Sequence, residues 1–212
     1  MSGLLDLLSS SVGKQLISGA SAETGASENQ TADVLSMALP LLMGAMKKNA
    51  QTPQGAAGLL GALSSKHDGS LLDNLGSVLG GGVNKDLMQD GAGILGHVLG
   101  GKQPAVENAL SQKSGLDAGS IAQILKIAAP VLLSVLGKQT RQNNVSDSND
   151  LGSLLGSMLG GQPQQNQSLI TSLIDADGDG SVLDDVAGMV LGAASGQKKG
   201  GLGGMLGGLF GK

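Results

Sequence analysis

A pattern of glycine, proline and apolar residues in the first part of the chain recurs 90 positions later without a gap. Pro40 aligns with Pro130, and the register holds as far as Lys48, which aligns with Lys138. Two segments that align without a gap are expected to contain the same helices in the same order. The sequence therefore predicts two tandem units followed by a tail, at residues 1–90, 91–196 and 197–212.

Apolar residues recur at helical spacing, and the clearest face consists of Leu151, Leu154, Leu155, Met158 and Leu159. Residues 32–46 and 122–136 are apolar nearly all round, which is typical of a buried central helix. The proline inside each stretch either kinks a helix or begins a new one. No segment shows the alternation or β-branched enrichment of a strand. We predict an all-α fold of two tandem duplicated multihelical units, with short Gly-rich helices and a flexible C-terminal tail.

Composition restricts both the core and the function. The 212 residues include 37 Gly and one Phe but no Cys, Trp or Tyr, so the core must be built from aliphatic side chains. The absence of Cys excludes disulfides and thiolate catalysis and fits a reducing compartment, so we predict a cytoplasmic protein. A net charge of −4 gives no basic face for nucleic acid. The most apolar run, residues 127–136, is shorter than the ~20 residues that span a bilayer, which predicts no transmembrane segment.

One acidic loop carries the clearest chemical signal in the sequence. Asp175, Asp177 and Asp179 occupy positions 1, 3 and 5 of a calcium-type loop, and Gly180 occupies the bend at position 6. Ser181 would offer its backbone carbonyl at position 7. Position 12, normally a bidentate Glu, is Val, so that only Asp184 or Asp185 could complete the ligand shell. The loop predicts either a weak calcium site, with a Kd of roughly 10⁻⁵ to 10⁻³ M, or a capped turn with surplus surface acid.

A related sequence in the first unit favours the second interpretation for part of this motif. Asp68-Gly69-Ser70-Leu71-Leu72-Asp73 matches residues 179–184, but Ser64 and Lys66 stand where the first two aspartates would be. This copy is therefore expected to bind no calcium. Ser70 and Asp73 have the spacing of a helix N-cap and a third-position acid.

The C-terminal tail combines two lysines, Lys198 and Lys199, with an apolar stripe at helical spacing. Gly fills most of the other positions, and each Gly costs a helix about 1 kcal/mol relative to Ala. The tail is expected to be flexible or docked on its own body, or else to anchor a partner protein or an anionic membrane surface. The stripe consists of Leu202, Met205, Leu206, Leu209 and Phe210.

Two other patterns resemble functional motifs without their structural context. Residues 91–96 spell G-x-G-x-x-G, but the polar residues before them do not form the buried strand that a dinucleotide site requires. His67 and His97 are isolated and fit surface groups or satisfied core groups better than metal ligands. We therefore predict that the protein is not an enzyme.

Several segments together resemble one bacterial family, the domain of unknown function 937. These are residues 38–44, 55–60, 93–102 and 110–116, together with the two Asp-Gly-Ser-x-Leu-Asp loops. The resemblance covers most of residues 3–196 and implies a bacterial, multihelical protein akin to the YidB-like helical fold. It implies no activity and no catalytic residues.

These observations favour a non-enzymatic bacterial protein that works through a protein partner or through self-association and carries one weak calcium loop. The alternative is a protein that acts at a membrane surface through its amphipathic tail. A hydrolase that uses the acidic cluster is a distant third, because the cluster has no neighbouring base or nucleophile.

Overall fold

Helices make up the described part of the chain. A computed structural model describes residues 4–80 and 82–159, and these residues contain ten α-helices, one short 3-10 helix at Gly100–Lys102 and no strand beyond an isolated bridge between Gly80 and Gly82. The all-α prediction is confirmed for these residues. In chain order the helices are α1 (Leu4–Ser9), α2 (Ser11–Thr24), α3 (Glu28–Asn49), α4 (Pro53–Ser65), α5 (Ser70–Asp73), α6 (Leu75–Leu79), α7 (Lys85–Val98), α8 (Gln103–Ser114), α9 (Ala118–Gln142) and α10 (Ser148–Leu159).

The turns that lead into α3 and α9 have the same construction. Helix α2 ends at Gly25 with φ +72°, and α8 ends at Gly115 with φ +75°, a left-handed conformation that glycine adopts without steric cost. Two residues later a polar side chain caps the next helix. The Ser27 hydroxyl accepts from an α3 backbone N–H at 3.2 Å, and the Asp117 carboxylate accepts from an α9 backbone N–H at 3.0 Å.

A side-chain hydrogen bond closes each of these turns at the same place. The Ser21 hydroxyl donates to the carbonyl of Ala26 at 2.7 Å, and the Ser111 hydroxyl donates to the carbonyl of Leu116 at 2.6 Å. In both cases the last turn of the short helix is tied to the residue just before the cap of the long helix. The angle between the two helices is therefore fixed by the same local contacts.

The two long helices, α3 and α9, lie at the centre of the core. Pro40 and Pro130 lie inside them, so neither proline begins a new helix. Both helices are buried along most of their length, as predicted from the apolar stretches at residues 32–46 and 122–136. Leucines from the surrounding helices add to the large, fully buried side chains of α3 and α9. The core members include Leu16, Leu35, Leu39, Leu42, Met43, Met46, Leu63, Leu95, Leu125, Leu132 and Leu136.

Helix α9 is also the most membrane-like element of the described chain. Its 25 residues are long and apolar enough to cross a bilayer by length and composition, although 67 % of the most apolar window is buried inside the protein. The core helix of a soluble protein meets the same criterion. The absence of a transmembrane segment therefore stays a prediction.

The described chain has a first half, residues 4–80, and a second half, residues 82–159. The two halves pack into each other. Helix α4 lies against α9, and α10 lies against α3, so the helix that follows each central helix covers the central helix of the other half. Helices α2 and α8 each contact both α3 and α9. Apolar side chains from both halves consequently form one continuous core. The predicted division between residues 90 and 91 lies within α7.

Candidate functional site

The two sites that the sequence favours lie outside the described residues. The structure therefore places neither set in space, and both stay predictions. They are the acidic loop with Asp175, Asp177, Asp179, Ser181, Asp184 and Asp185, and the apolar stripe with Leu202, Met205, Leu206, Leu209 and Phe210.

The related loop of the first half connects α4 to α5 and lies within the described structure. Gly69 has φ +103°, a left-handed conformation that disfavours any other residue. The Asp68 carboxylate accepts a hydrogen bond from the backbone N–H of Ser70 at 3.0 Å. Ser70 was expected to be the N-cap of the following helix, and that expectation is wrong. Gly69 holds the cap position, Ser70 is the first helical residue, and the Asp68 side chain satisfies its N–H.

Arg141, near the end of α9, binds the same loop from the other half. Its Nη1 lies 3.1 Å from the backbone carbonyl of Asp68 and 3.3 Å from Oδ2 of the Asp68 carboxylate. Hydrogen bonds from Ser70 lower the pKa of Asp68 below its usual value, and the Arg141 charge lowers it further. This carboxylate therefore stays ionised and has its partners within the protein.

A shallow groove of about 430 Å³ runs between this loop and the end of α9. Its charged side chains comprise two acids, Asp68 and Asp73, and two bases, Lys138 and Arg141. Mixed charge of this kind differs from the cage of oxygen ligands that a calcium ion requires. Within residues 4–80 and 82–159, no group of three or more His, Asp or Glu side chains is arranged to hold a metal ion.

Beside the groove, His67 is buried next to an acid from the second half. Its side chain is 5 % exposed, and its Nε2 lies 3.5 Å from Oδ2 of Asp90 on α7. Burial lowers the pKa of His67 below 6.5, the nearby charge of Asp90 opposes that shift, and Lys66 adds to it. The sequence favoured a surface or satisfied core histidine over a metal ligand, which agrees with this burial. It did not identify Asp90 as the partner, because α7 approaches the loop only through the tertiary packing.

Glycine allows the His67 loop to approach α9 closely. A Cβ atom at Gly137 would overlap with the backbone carbonyl oxygen of His67. A Cβ atom at Gly69 would meet Cβ of Lys138 at 3.0 Å, which is tighter than ordinary van der Waals contact. The loop therefore packs closely against α9 at Gly69 and Gly137. This contact joins the two halves.

The G-x-G-x-x-G pattern and His97 both lie on α7. Residues 91–96, the G-x-G-x-x-G pattern, lie in the middle of α7, where they do not form the loop between a strand and a helix that binds a dinucleotide. His97 is exposed on the last turn of α7.

Comparison with family models gives a match over most of the chain. The family model described as "Bacterial protein of unknown function (DUF937)" matches residues 6–139 and 142–212. No curated protein and no solved structure matches the chain significantly.

Proposed function

The chain belongs to the bacterial family of unknown function DUF937, and from that premise we propose that it is a non-enzymatic helical protein that works through binding or self-assembly, with one weak calcium-binding loop in its second unit. The observation that carries the calcium part is the run Asp175, Asp177 and Asp179 with Gly180. Alternate carboxylates followed by a glycine bend are the oxygen-rich pattern that binds a hard cation.

The division into two duplicated units with short Gly-rich helices is part of the proposal. Support comes from the equivalent turns at Gly25 and Gly115, from the equivalent caps at Ser27 and Asp117, and from the matching positions of Pro40 and Pro130 inside the two long helices. We infer that one ancestral unit supplied both halves and that the halves then diverged in their acidic loops.

The first-half loop indicates how those two loops differ. Asp68 accepts a hydrogen bond from Ser70 and pairs with Arg141, so its charge is used within the protein. The aligned position in the second unit, Asp179, follows two further aspartates that have no counterpart before Asp68. We propose that the first loop is structural and that the second loop recruits a cation.

A weak site of this kind suits a response to changing calcium. A site with a Kd of roughly 10⁻⁵ to 10⁻³ M would be mostly empty at low free calcium and would fill during an influx. Binding to the folded chain alone raises its stability by mass action. We therefore propose that calcium strengthens the second unit and the association that depends on it.

Calorimetry and thermal melting of the intact chain test the calcium part. We expect binding in the micromolar-to-millimolar range and a melting temperature that rises with calcium concentration. The substitution Asp177→Ala should abolish both effects. Asp73→Ala is the matched control, because Asp73 is an exposed acid of α5 that aligns with Asp184. The absence of binding at millimolar calcium, or an unchanged response of Asp177→Ala, contradicts the proposal.

The second candidate function is association with an anionic membrane surface through the tail. It is favoured by the stripe of five apolar side chains at helical spacing and by Lys198 and Lys199 beside it. Lysines near an anionic surface contribute about 1 kcal/mol each, through a field that salt screens. A protein groove would instead bind the same stripe mainly by apolar burial.

A further inference from the structure

We propose that His67 is a pH-sensitive latch: its neutral, buried imidazole allows the loop at residues 66–69 to close onto α7 and α9, and protonation of the imidazole below neutral pH loosens that loop. The loop joins the two halves of the described chain, so its opening weakens their attachment. The proposal rests on the position of His67 and is independent of the calcium loop.

The geometry makes His67 the buried member of a contact between elements. The imidazole is 5 % exposed and lies 3.5 Å from the Asp90 carboxylate on α7. On the other side, the backbone carbonyl of His67 abuts Gly137 of α9 so closely that a Cβ atom there would overlap with it. The imidazole is therefore largely shielded from water while the loop lies against these two helices.

The charged groups around the loop do not fully offset the cost of burying a protonated His67. Asp90 on α7 favours the protonated form, and Lys66 in the loop opposes it. From α9, Lys138 and Arg141 face the groove beside the loop, and Arg141 is paired with Asp68. Asp73, the acid of α5, lines the same groove and is exposed to solvent. Among the described residues, Asp90 is the carboxylate that raises the pKa of His67, and burial outweighs it, so the closed loop favours neutral His67.

The direction of the pH effect follows from this difference. Burial places the pKa of His67 in the closed loop below 6.5, whereas an open loop exposes the imidazole to water. Above about pH 6.5 both forms are neutral and the latch is closed. As the pH falls through 6.5, the open loop takes up a proton and the closed loop does not, so opening becomes easier. The weakening of closure reaches its full size once the pH lies below the pKa of the closed form.

The Asp68–Arg141 pair does not titrate in the same range. The pKa of Asp68 is lowered from 3.8, so its carboxylate keeps its charge throughout the transition of His67. The Asp68–Arg141 ion pair therefore keeps one side of the loop attached when protonation of His67 loosens the other side. A response near pH 6 belongs to a histidine, and a response below about pH 4 belongs to carboxylates.

Two measurements on the intact chain test the latch. A proton NMR titration of the imidazole C–H signals should give a pKa for His67 below 6.5. Hydrogen exchange should show that amide protection at residues 67–72 falls between about pH 7.5 and pH 5 relative to the centre of α9. The loss should be about tenfold for each pH unit by which the pKa of His67 lies below its ordinary value.

Substitutions separate the latch from general acid sensitivity. His67→Gln, which cannot titrate, should remove the pH dependence of loop protection. Asp90→Asn removes the charge that favours the proton in the closed loop, so the loss of protection should become larger and continue to lower pH. His97→Gln is the matched control, because His97 is exposed and lies outside the loop, and this variant should keep the native response. A pKa of His67 at or above 6.5 overturns the proposal, as does an unchanged pH response in His67→Gln. If that variant fails to fold, the titration of the native chain decides.

Discussion

At the scale of single residues, the caps of α3 and α9 show one structural role performed by two chemistries. Ser27 and Asp117 hold equivalent positions, but only the second is ionisable. The Ser120 hydroxyl and then its backbone N–H donate to the Asp117 carboxylate and lower its pKa below 3.8. A carboxylate with a lowered pKa stabilises the fold above its unfolded pKa, and this contribution is lost as the pH falls through the lowered value.

The two caps should therefore respond differently to acid. Ser27→Ala removes a neutral hydrogen bond, and we expect a loss of about 1 kcal/mol in the free energy of unfolding, equal at pH 7 and pH 3. Asp117→Ala should destabilise the chain at pH 7 and less at pH 3, because pH 3 lies below the ordinary pKa of 3.8 and part of the contribution of this carboxylate is then already lost. Urea unfolding of both variants at the two pH values measures this. Equal losses at both pH values for Asp117→Ala would refute it.

Residue-scale chemistry was predictable only where a role depends on neighbours in sequence. The Asp-Gly-Ser pattern indicated a turn before a helix, but Ser70 and Asp68 are both good capping residues, and the left-handed backbone of Gly69 decided between them. The pairing of His67 with Asp90 depends on how the loop packs against α7. No local pattern in the sequence encodes that contact.

At the scale of helices, glycines two residues apart on α7 have opposite roles. A Cβ atom at Gly91 would overlap with the backbone carbonyl oxygen of Lys126 on α9, whereas no other atom of the described residues lies within 4 Å of a Cβ atom at Gly93. Pro130 has no N–H to donate to that carbonyl, which lies four residues before it in the helix. The proline and Gly91 thus occur together at a close approach of α7 and α9.

Alanine substitutions at these two glycines should consequently have opposite signs. Gly91→Ala forces α7 away from α9, and we expect a loss of about 1–3 kcal/mol in the free energy of unfolding, as in an overpacked core. Gly93→Ala removes the entropic cost of an exposed glycine and should stabilise the helix by up to about 1 kcal/mol. Thermal or urea unfolding of the pair provides the test. Destabilisation of similar size in both would show that the close contact does not matter.

The helices themselves were largely predictable, because apolar periodicity and capping residues are local. The face of α10 and the two buried central helices follow the sequence pattern closely. For Pro40 and Pro130 the sequence allowed either a kinked helix or a new helix start. The surrounding core decided for continuous helices, since burial of residues on both sides offsets the backbone hydrogen bond that proline cannot make.

At the scale of the whole molecule, the sequence predicted an all-helical chain but not which helices pack against each other. The packing of α4 on α9 and of α10 on α3 makes each half the cover of the other. A fragment with one half alone would leave the apolar side of α3 or α9 in water.

Fragments 1–82 and 83–212 should therefore fold poorly alone and well together. Each fragment by itself is expected to show low helicity or to self-associate, and an equimolar mixture should recover a cooperative thermal transition. Circular dichroism and size-exclusion chromatography measure both properties. A cooperative transition in either monomeric fragment, at the temperature of the intact chain, would show that the halves are independent.

Shortening the chain to end at Gly196 separates the tail from the body. We expect the fold and the calcium response to persist and association to be lost. Sedimentation with anionic vesicles should detect a salt-sensitive membrane interaction, because salt screens the lysine charges, whereas self-association through apolar burial should change little with salt. If the shortened and intact chains behave alike in both assays, the tail contributes to neither function.

The cross-packing of the halves also determines when this protein can fold during its synthesis. Helix α3 leaves the ribosome before α10, the helix that covers one side of α3. Helix α4 likewise leaves before α9, the helix against which α4 packs. At roughly 5–20 residues per second, α3 waits for seconds with part of its apolar surface uncovered. The nascent first half is therefore the stage at which this chain most needs a chaperone, and slower translation between α4 and α9 should increase its aggregation.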